Sequence, residues 1–134
     1  MTVAPSSQPR VGVGALITDD QGRILLVKRR RDPEAGCWGI PGGKVDFAER
    51  VADTCAREIL EEVGLEIEVG DLVCLVDQID TEAGTHWVSP VFRARILNGE
   101  AVNREPEAIA AIGWFEPGDL PAPLTLSTRR ALSL

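Results

Sequence analysis

The sequence predicts a mixed α/β fold built as a single domain, and three observations favour this class. Apolar segments short enough for strands lie on both sides of one strongly amphipathic helix, and a shorter helical segment closes the chain. The 134 residues suit one domain with a sizeable core. The contents of 44% hydrophobic and 26% charged residues are ordinary for a globular protein. We therefore expect a folded domain over residues 10–134 and a flexible polar tail over residues 1–9.

Apolar runs bounded by turn residues predict the strands. These runs cover residues 11–17, 24–28, 72–77, 88–96 and 109–115. A turn containing Gly22 joins the first two strands, and a connection containing Gly84 separates the third from the fourth. A short helix is predicted within residues 125–134, with Thr125 or Ser127 as its N-terminal cap.

The main helix is predicted between two recognisable ends. Asp46 and Glu49 have the spacing of a capping box, with Asp46 at the N-cap. Gly64 fits the position just beyond the last helical residue. At about 100° per residue, one group of apolar side chains falls on a single arc: Val51, Ala52, Cys55, Ile59 and Val63. This arc is expected to face a core.

Acidic side chains crowd the last turns of this helix, at Glu58, Glu61 and Glu62. Acids at a helix C-terminus face its partial negative charge, which costs a few tenths to about 1 kcal/mol each, and like charges one turn apart repel. Glu62 falls inside the apolar arc, Glu58 lies at its edge, and Glu61 lies just beyond Glu58. A partly buried carboxylate needs a partner or a metal, and Mg²⁺ commonly binds one or two carboxylates together with substrate phosphates. The spacing therefore favours a cation site over a solvated acidic face.

Composition narrows the classes of partner and compartment. The net charge of −7 disfavours a nucleic-acid polymer as partner, although it does not disfavour nucleotides that arrive with metal. No apolar run reaches the length that spans a bilayer, and the polar N-terminal residues do not resemble a signal peptide. Three cysteines, Cys37, Cys55 and Cys74, show no metal-ligand spacing. We expect reduced thiols in a cytoplasmic protein.

A fixed residue pattern begins at the end of the Pro41-Gly42-Gly43 loop. It consists of Gly43, five residues, Glu49, seven residues, Arg57-Glu58-Ile59, one residue, Glu61-Glu62, one residue and Gly64-Leu65. This pattern resembles a complete Nudix box without departures, and the similarity to small MutT-like Nudix hydrolases extends over nearly the whole chain. The resemblance implies an α/β/α sandwich, with two helices on opposite faces of a mixed sheet. It also implies hydrolysis of a nucleoside diphosphate linked to another group.

The same resemblance implies roles for residues in and next to the box. Metal ligation by the helix carboxylates is implied for Glu58, Glu61 and Glu62, with Mg²⁺ as the ion and Mn²⁺ as the alternative. Glu58 or Glu61 would be the general base. Arg57 would orient a catalytic carboxylate, or else form only a surface pair with Glu61. The backbone carbonyl of Gly42 or Gly43 would complete the coordination shell.

Residues outside the box have two readings each. Glu105 or Glu107 resembles the further acidic ligand that some relatives supply from a later loop, or belongs to a solvated acidic loop. Arg29 resembles a phosphate-contacting arginine, or is a solvated strand end. His86 is the single histidine, and it either recognises a base or is structural. Trp38 either contacts substrate or packs in the core.

The prediction of the substrate class depends mainly on residues that other groups of the family tend to carry and that this chain lacks. Dinucleoside polyphosphate hydrolases of the family tend to carry a tyrosine after the box, and this chain contains no tyrosine. ADP-ribose pyrophosphatases tend to carry a proline where this chain has Ile79-Asp80-Thr81. The resemblance therefore favours a (d)NTP pyrophosphohydrolase that yields NMP and pyrophosphate. An ADP-ribose or nucleotide-sugar pyrophosphatase and a non-catalytic nucleotide-binding module remain the alternatives, and both a monomer and a homodimer are compatible with the sequence.

Overall fold

The computed structural model describes residues 8–134, so most of the predicted tail over residues 1–9 lies outside the described residues. The elements in chain order are β1 (Arg10–Ile17), β2 (Ile24–Arg29), β3 (Trp38–Gly39), β4 (Gly42–Lys44), α1 (Val51–Val63), β5 (Glu66–Asp80), β6 (Thr85–Asn98), β7 (Ile109–Phe115) and α2 (Leu126–Ala131). Neither helix in this range is long and apolar enough to cross a membrane. The predicted alternation of strands and helices is confirmed.

The strands form two sheets instead of the single mixed sheet that was expected. The larger sheet has the order β4-β1-β6-β5 and is mixed, because β1 and β6 run parallel while its other pairs are antiparallel. The smaller sheet has the order β3-β2-β7 and is antiparallel. An isolated bridge between Thr18 and Ile24 closes the turn between β1 and β2, so that turn links the two sheets.

Two apolar clusters form on opposite sides of the strand layer. Ala15 and Ile17 of β1 belong to the cluster that contains Ile59 of α1. Leu16, which points to the other side of β1, belongs to the cluster that contains Ala131 of α2. A strand that is buried on both faces is apolar at consecutive positions, which is why β1 could be recognised as an apolar run. The arrangement confirms the predicted α/β/α sandwich.

The C-terminal end of α1 agrees with prediction, whereas its N-terminal end does not. Gly64 has a φ of 73° and its amide donates to the Leu60 carbonyl, as expected for the residue that stops a helix. The predicted N-cap at Asp46 is wrong, because the helix begins after Arg50, whose side chain makes no cap. Glu49 does accept the Asp46 amide at 3.4 Å, but that contact lies in the turn ahead of the helix.

The N-cap of α2 anchors the segment around Ile40, which leads to the Gly42-Gly43 pair. Thr125 is the N-cap, as one of the two predicted candidates, and its hydroxyl accepts the Thr128 amide at 3.4 Å. The two threonine hydroxyls are 2.7 Å apart, and the Thr128 hydroxyl accepts the Ile40 amide at 2.9 Å. These contacts hold Ile40 in place two residues before the Gly42-Gly43 pair.

Strands β5 and β6 extend well beyond their predicted bounds. They pair with one another from Glu66–Asn98 to Asp80–Thr85, with register irregularities near Leu72. Much of this hairpin lacks the continuous apolar pattern that predicts a strand, since only one of its faces is covered over part of its length. The antiparallel pairing, and not local propensity, therefore fixes the length of both strands.

Glycine allows the short strand β4 to approach β1 closely. Gly42 pairs with Gly14 and Gly43 pairs with Val13. A Cβ atom added to Gly42 would overlap the Val13 carbonyl oxygen, which belongs to the backbone and cannot rotate away. Position 42 therefore requires glycine, because strands β1 and β4 lie too close together there to leave room for a side chain.

Replacing Gly42 by alanine should test this packing directly. We expect Gly42→Ala to lower the free energy of unfolding by about 1–3 kcal/mol, because the added methyl group overpacks the interface between β1 and β4. The measurement is urea denaturation monitored by circular dichroism, with the slope m compared between variants. Gly118→Ala is the matched control, since an added Cβ there meets no atom within 4 Å. Equal stability of the two variants would contradict the packing described for Gly42.

Candidate active site

A cleft of about 360 Å³ opens at the C-terminal end of α1. Charged side chains and glycine backbone line its part nearest to the helix. Five of the residues that the sequence singled out meet there: Arg29, Gly42, Gly43, Glu62 and Glu105. They come from the end of β2, from β4, from α1 and from the loop before β7. Residues distant in sequence are thus brought together at one end of the cleft.

Glu62 is the most deeply buried carboxylate of this group, with 8% of its surface exposed. Burial, followed by the nearby charges of Glu105 and Glu58, raises the pKa of Glu62 to about 8. The Gly42 amide and the Arg29 charge oppose this shift without cancelling it. A pKa this high means that the surroundings of Glu62 supply too little positive charge to stabilise its ionised form.

Glu58 is not among the side chains that line the cleft, but it lies next to them. A Cβ atom on Gly43 would overlap the Glu58 carboxyl group, so this carboxyl lies directly against the Gly43 backbone. Burial raises the pKa of Glu58, and the Glu61 and Glu105 charges add to this effect, while Arg57 lowers it. Glu58 therefore lies between the glycine loop, the buried Glu62 and the outer face of the helix.

Arg57 is the centre of an ion-pair network on the outer side of α1. Its Nε donates to Glu49 at 2.7 Å, and its Nη1 donates to both Glu58 and Glu61 at 3.1 Å. Its Nη2 lies 3.3 Å from the Asp46 carboxylate. Contacts with these acids raise the pKa of the guanidinium. Arg57 therefore forms the surface pair with Glu61 and also contacts Glu58. Its role in orienting a catalytic carboxylate stays a prediction.

Glu49 serves this network rather than the cleft. Its carboxylate accepts from Arg57 at 2.7 and 2.9 Å and from the Thr54 hydroxyl at 2.7 Å. The hydrogen bond from Arg57, followed by the one from Thr54, lowers the pKa of Glu49 to about 2. Glu49 is therefore ionised at neutral pH and fixes the position of the arginine.

The loop that carries Glu105 is tied to the end of α1. The Arg104 amide donates to the Glu62 carbonyl at 3.0 Å. The Asn103 side chain accepts the Glu105 amide at 3.0 Å and donates to the Ile109 carbonyl at 2.8 Å. Of the two acids considered from sequence, Glu105 lines the cleft, whereas the exposed Glu107 does not.

Arginine side chains supply positive charge to the same end of the cleft. Arg29 lies at the end of β2, where the register shifts after Lys28, and its Nε donates to the Pro33 carbonyl at 2.8 Å. Arg31 also lines the cleft. Arg30 points elsewhere and donates to the Pro106 carbonyl at 2.8 Å. Of the three consecutive arginines, Arg29 and Arg31 therefore line the cleft, and Arg30 binds the loop that contains Pro106.

Trp38 and His86 lie outside the lining of this cleft. The Trp38 ring packs edge-on against Phe115 at a centroid distance of 5.1 Å, within the cluster beneath α2. His86 lines a separate, small hollow next to Gly84, at the turn between β5 and β6. The geometry thus favours the structural reading of both residues and does not bring them to Arg29.

The far end of the cleft contains residues that the sequence did not single out. They are Gly12, Lys44, Gln78, Trp87 and Ser89. Their side chains share one face of the larger sheet but come from β1, β4, β5 and β6. The two-residue spacing of Trp87 and Ser89 predicts that their side chains lie on the same face of a strand, but it does not predict which face borders a cleft.

The donor set at the helix end fits a divalent cation. Carboxylate and backbone carbonyl oxygens are the ligands that hard cations prefer, and the high pKa of Glu62 reports an unmet need for positive charge. Within residues 8–134 no three acidic, histidine or cysteine side chains already converge to enclose an ion. Glu58 and Glu61 instead contact Arg57, each at 3.1 Å.

Comparison with known proteins identifies the family. The family model described as NUDIX domain matches residues 8–134. The crystal structure of a MutT NUDIX hydrolase from Burkholderia pseudomallei superposes with a TM-score of 0.90, at 56% identity over 94% of this chain and 97% of that chain. This similarity confirms the predicted α/β class and the sandwich architecture.

Two of the similar curated proteins carry names of different activities. The ADP-ribose pyrophosphatase of Methanocaldococcus jannaschii is 38% identical over 92 residues, which are 69% of this chain and 54% of that protein. The putative 8-oxo-dGTP diphosphatase 2 of Mycobacterium tuberculosis is 39% identical over 100 residues, which are 72% of this chain and 67% of that protein. The chain thus spans about half the length of the first of these relatives.

The family match covers all the elements described above, including the helix with its acidic end and the glycine loop that lies against it. The residue pattern from Gly43 to Leu65 lies within the matched region. The prediction made from that pattern is confirmed, and the chain belongs to the Nudix family.

Proposed function

We propose that this protein is a metal-dependent (d)NTP pyrophosphohydrolase that releases NMP and pyrophosphate. The observation that carries the proposal is the buried Glu62 carboxylate, which lines a cleft together with Glu105 and Arg29 and lies close to Glu58. A cation that neutralises these acids is also a cation that can receive a polyphosphate. The name of the relative from Mycobacterium tuberculosis, a putative 8-oxo-dGTP diphosphatase 2, supports a deoxynucleoside triphosphate as substrate.

The proposed ligands of the ion are carboxylates of α1 and a carbonyl of the glycine loop. We assign Glu58, Glu61 and Glu62, together with the carbonyl of Gly42 or Gly43, and Glu105 as the acid from the later loop. Mg²⁺ is the proposed ion, with Mn²⁺ as the alternative. When bound, such an ion supplies charge neutralisation for phosphate oxygens and lowers the pKa of water.

The remaining work falls to side chains of this chain. Glu58 or Glu61 accepts the proton of the attacking water, and Arg57 keeps both carboxylates oriented through its hydrogen bonds of 3.1 Å. Arg29 binds phosphate oxygens from the opposite side of the cleft, where its guanidinium is held by the Pro33 carbonyl. Water attacks a phosphorus atom, the bond to the pyrophosphate leaving group breaks, and NMP is released.

A second candidate is an ADP-ribose or nucleotide-sugar pyrophosphatase, which the name of the Methanocaldococcus jannaschii relative favours. Both candidates require the same metal and phosphate end of the cleft. A cytoplasmic location is proposed for either, because Cys37, Cys55 and Cys74 are free thiols. The net charge of −7 supports a small nucleotide as the partner in place of a nucleic-acid polymer.

A substrate panel separates these candidates. Purified protein is incubated with Mg²⁺ and each of the dNTPs, 8-oxo-dGTP, ADP-ribose and nucleotide sugars, and the release of NMP, pyrophosphate and phosphate is measured. We expect pyrophosphate and NMP from at least one triphosphate, because the cleft offers both cation ligands and arginines to a polyphosphate. AMP and a sugar phosphate without any triphosphate turnover would contradict the first proposal. No activity on any compound would favour a nucleotide-binding module.

Glu61→Gln should lower kcat by at least about 100-fold, which is the usual contribution of a general base or of its positioning. The fold should persist, because the Glu61 side chain is half exposed and belongs to neither apolar cluster. Glu66→Gln is the control, since it removes an exposed acid that lies outside the cleft. Steady-state kinetics with the preferred nucleotide provide the measurement. Full activity of Glu61→Gln would overturn the assignment of this residue.

The pH dependence of stability should reveal Glu62 when metal is removed with EDTA. Its pKa is about 8 in the folded protein and near 4.5 when exposed. A raised pKa contributes stability that is complete below the unfolded value and is lost as pH rises through the folded value. The melting temperature of the metal-free protein should therefore fall between pH 5 and about pH 9.

Glu62→Gln should flatten this decline, because glutamine cannot ionise, while Glu116→Gln at an exposed position should leave it unchanged. Thermal denaturation at several pH values, with and without Mg²⁺, provides the comparison. If wild type and Glu62→Gln declined in parallel, the shift assigned to Glu62 would be wrong.

A further inference from the structure

The end of the cleft away from α1 has a different chemical character. It is formed on one face of the larger sheet, where Gln78 on β5 pairs with Trp87 on β6, and Trp87 pairs with Arg10 on β1. Ser89 lies two residues further along the same face of β6. Gln78, Trp87 and Ser89 all line the cleft and are half-buried. The side chains of these three residues are neutral, but two cations lie beside them: Lys44 pairs with Gly12 between β4 and β1, and the Arg10 guanidinium lies 5.8 Å from the centre of the Trp87 ring.

Glycine keeps this surface open. A Cβ atom on Gly12 would lie 2.7 Å from the Ser89 hydroxyl and 3.5 Å from the Trp87 ring. Any larger residue at position 12 would therefore cover the hydroxyl and the edge of the indole. Glycine in the interior of a strand often marks a place where a ligand approaches the backbone. Here it leaves a flat floor with an aromatic wall beside it.

The composition of this surface indicates what part of a ligand it can hold. An amide, a hydroxyl and an indole offer hydrogen bonds and apolar contact and carry no charge themselves, and the cations beside them, Lys44 and Arg10, are exposed whereas these three side chains are half-buried. A planar ring with polar edges satisfies all three groups. In a nucleotide whose phosphates lie at the arginine and carboxylate end of the cleft, that ring is the base.

We propose that Gly12, Gln78, Trp87 and Ser89 form the nucleobase site and that Gln78 is its specificity-determining residue. The inference rests on the proposed function, because it takes the phosphates to lie at the helix end of the same cleft. Gln78 carries one acceptor and two donors on a single rotatable group. It can therefore form a two-point contact with an edge that presents an acceptor beside a donor, and turning the amide over accommodates either order of the pair.

This property has a direct consequence for base preference. Guanine presents its O6 acceptor beside its N1–H donor, and adenine presents an acceptor nitrogen beside its N6 amino donor. The amide of Gln78 matches both bases, so the wild type should discriminate weakly between dGTP and dATP. A carboxylate at position 78 accepts only. It matches the adjacent N1–H and N2–H donors of guanine, but it faces an unpaired acceptor on adenine.

The test is the ratio of kcat/KM for dGTP to kcat/KM for dATP in wild type and in Gln78→Glu. We expect the ratio to rise at least about tenfold in the variant, because a matched two-point contact discriminates between bases by at least that factor. The added negative charge weakens both triphosphates, and the ratio removes that shared effect. Gln21→Glu, at an exposed turn, controls for the added charge and should leave the ratio unchanged. An unchanged ratio in Gln78→Glu, or a shift towards dATP, would overturn the proposal.

A binding measurement keeps this inference separate from the proposed reaction. Quenching of tryptophan fluorescence by dGMP and dAMP is measured for wild type, Trp87→Phe and Trp114→Phe. We expect the quench to persist in Trp114→Phe, whose ring packs against the cluster beneath α1, and to be lost in Trp87→Phe. Quenching without any dNTP turnover would refute the pyrophosphohydrolase while supporting the base site. A full quench in Trp87→Phe, or the absence of any quench in wild type, would refute the base site.

Discussion

A carboxylate buried at the C-terminal end of a helix is costly, and Glu62 occupies that position with two further acids within one turn. The cost is not relieved inside the protein, since the pKa of Glu62 stays near 8 despite the Gly42 amide and the Arg29 charge. A bound cation would stabilise the ionised form of these clustered carboxylates. The glycine loop, the loop of Glu105 and the strand end of Arg29 are all arranged around this carboxyl group.

Two sets of contacts hold the acids in position but leave the pKa of Glu62 near 8. On the outer side of α1, Arg57 binds Glu49, Glu58 and Glu61 and thereby limits their mutual repulsion. On the inner side, Gly43 admits the Glu58 carboxyl group against its backbone. The proposed ion would therefore bind next to a helix whose repulsion is already partly offset and whose side chains are held at defined positions. Preorganisation of this kind is what allows charge stabilisation to accelerate a reaction.

Much of this arrangement could be read from the sequence, and the rest depended on pairing between distant residues. The burial of Glu62 followed from its place on the apolar arc, and the end of α1 followed from Gly64, because both are local properties of one helix. The N-terminal end of α1 was predicted incorrectly, because Ala48 has a φ of 67°, outside the helical region, and the helix begins only after Arg50. The neighbours of Gln78 could not be predicted, because the register that places Trp87 beside it is set by a hairpin and a parallel strand pair.

The central claim is that the acidic end of α1 exists to hold a divalent ion, and locating that ion tests it most directly. Crystals of the protein soaked in Mn²⁺ would be measured at a wavelength where manganese scatters anomalously. We expect an anomalous peak in the cleft, in contact with Glu62 and Glu58 and next to the Gly42-Gly43 loop. Peaks confined to exposed acids, with Glu62 still buried and without an ion, would contradict it.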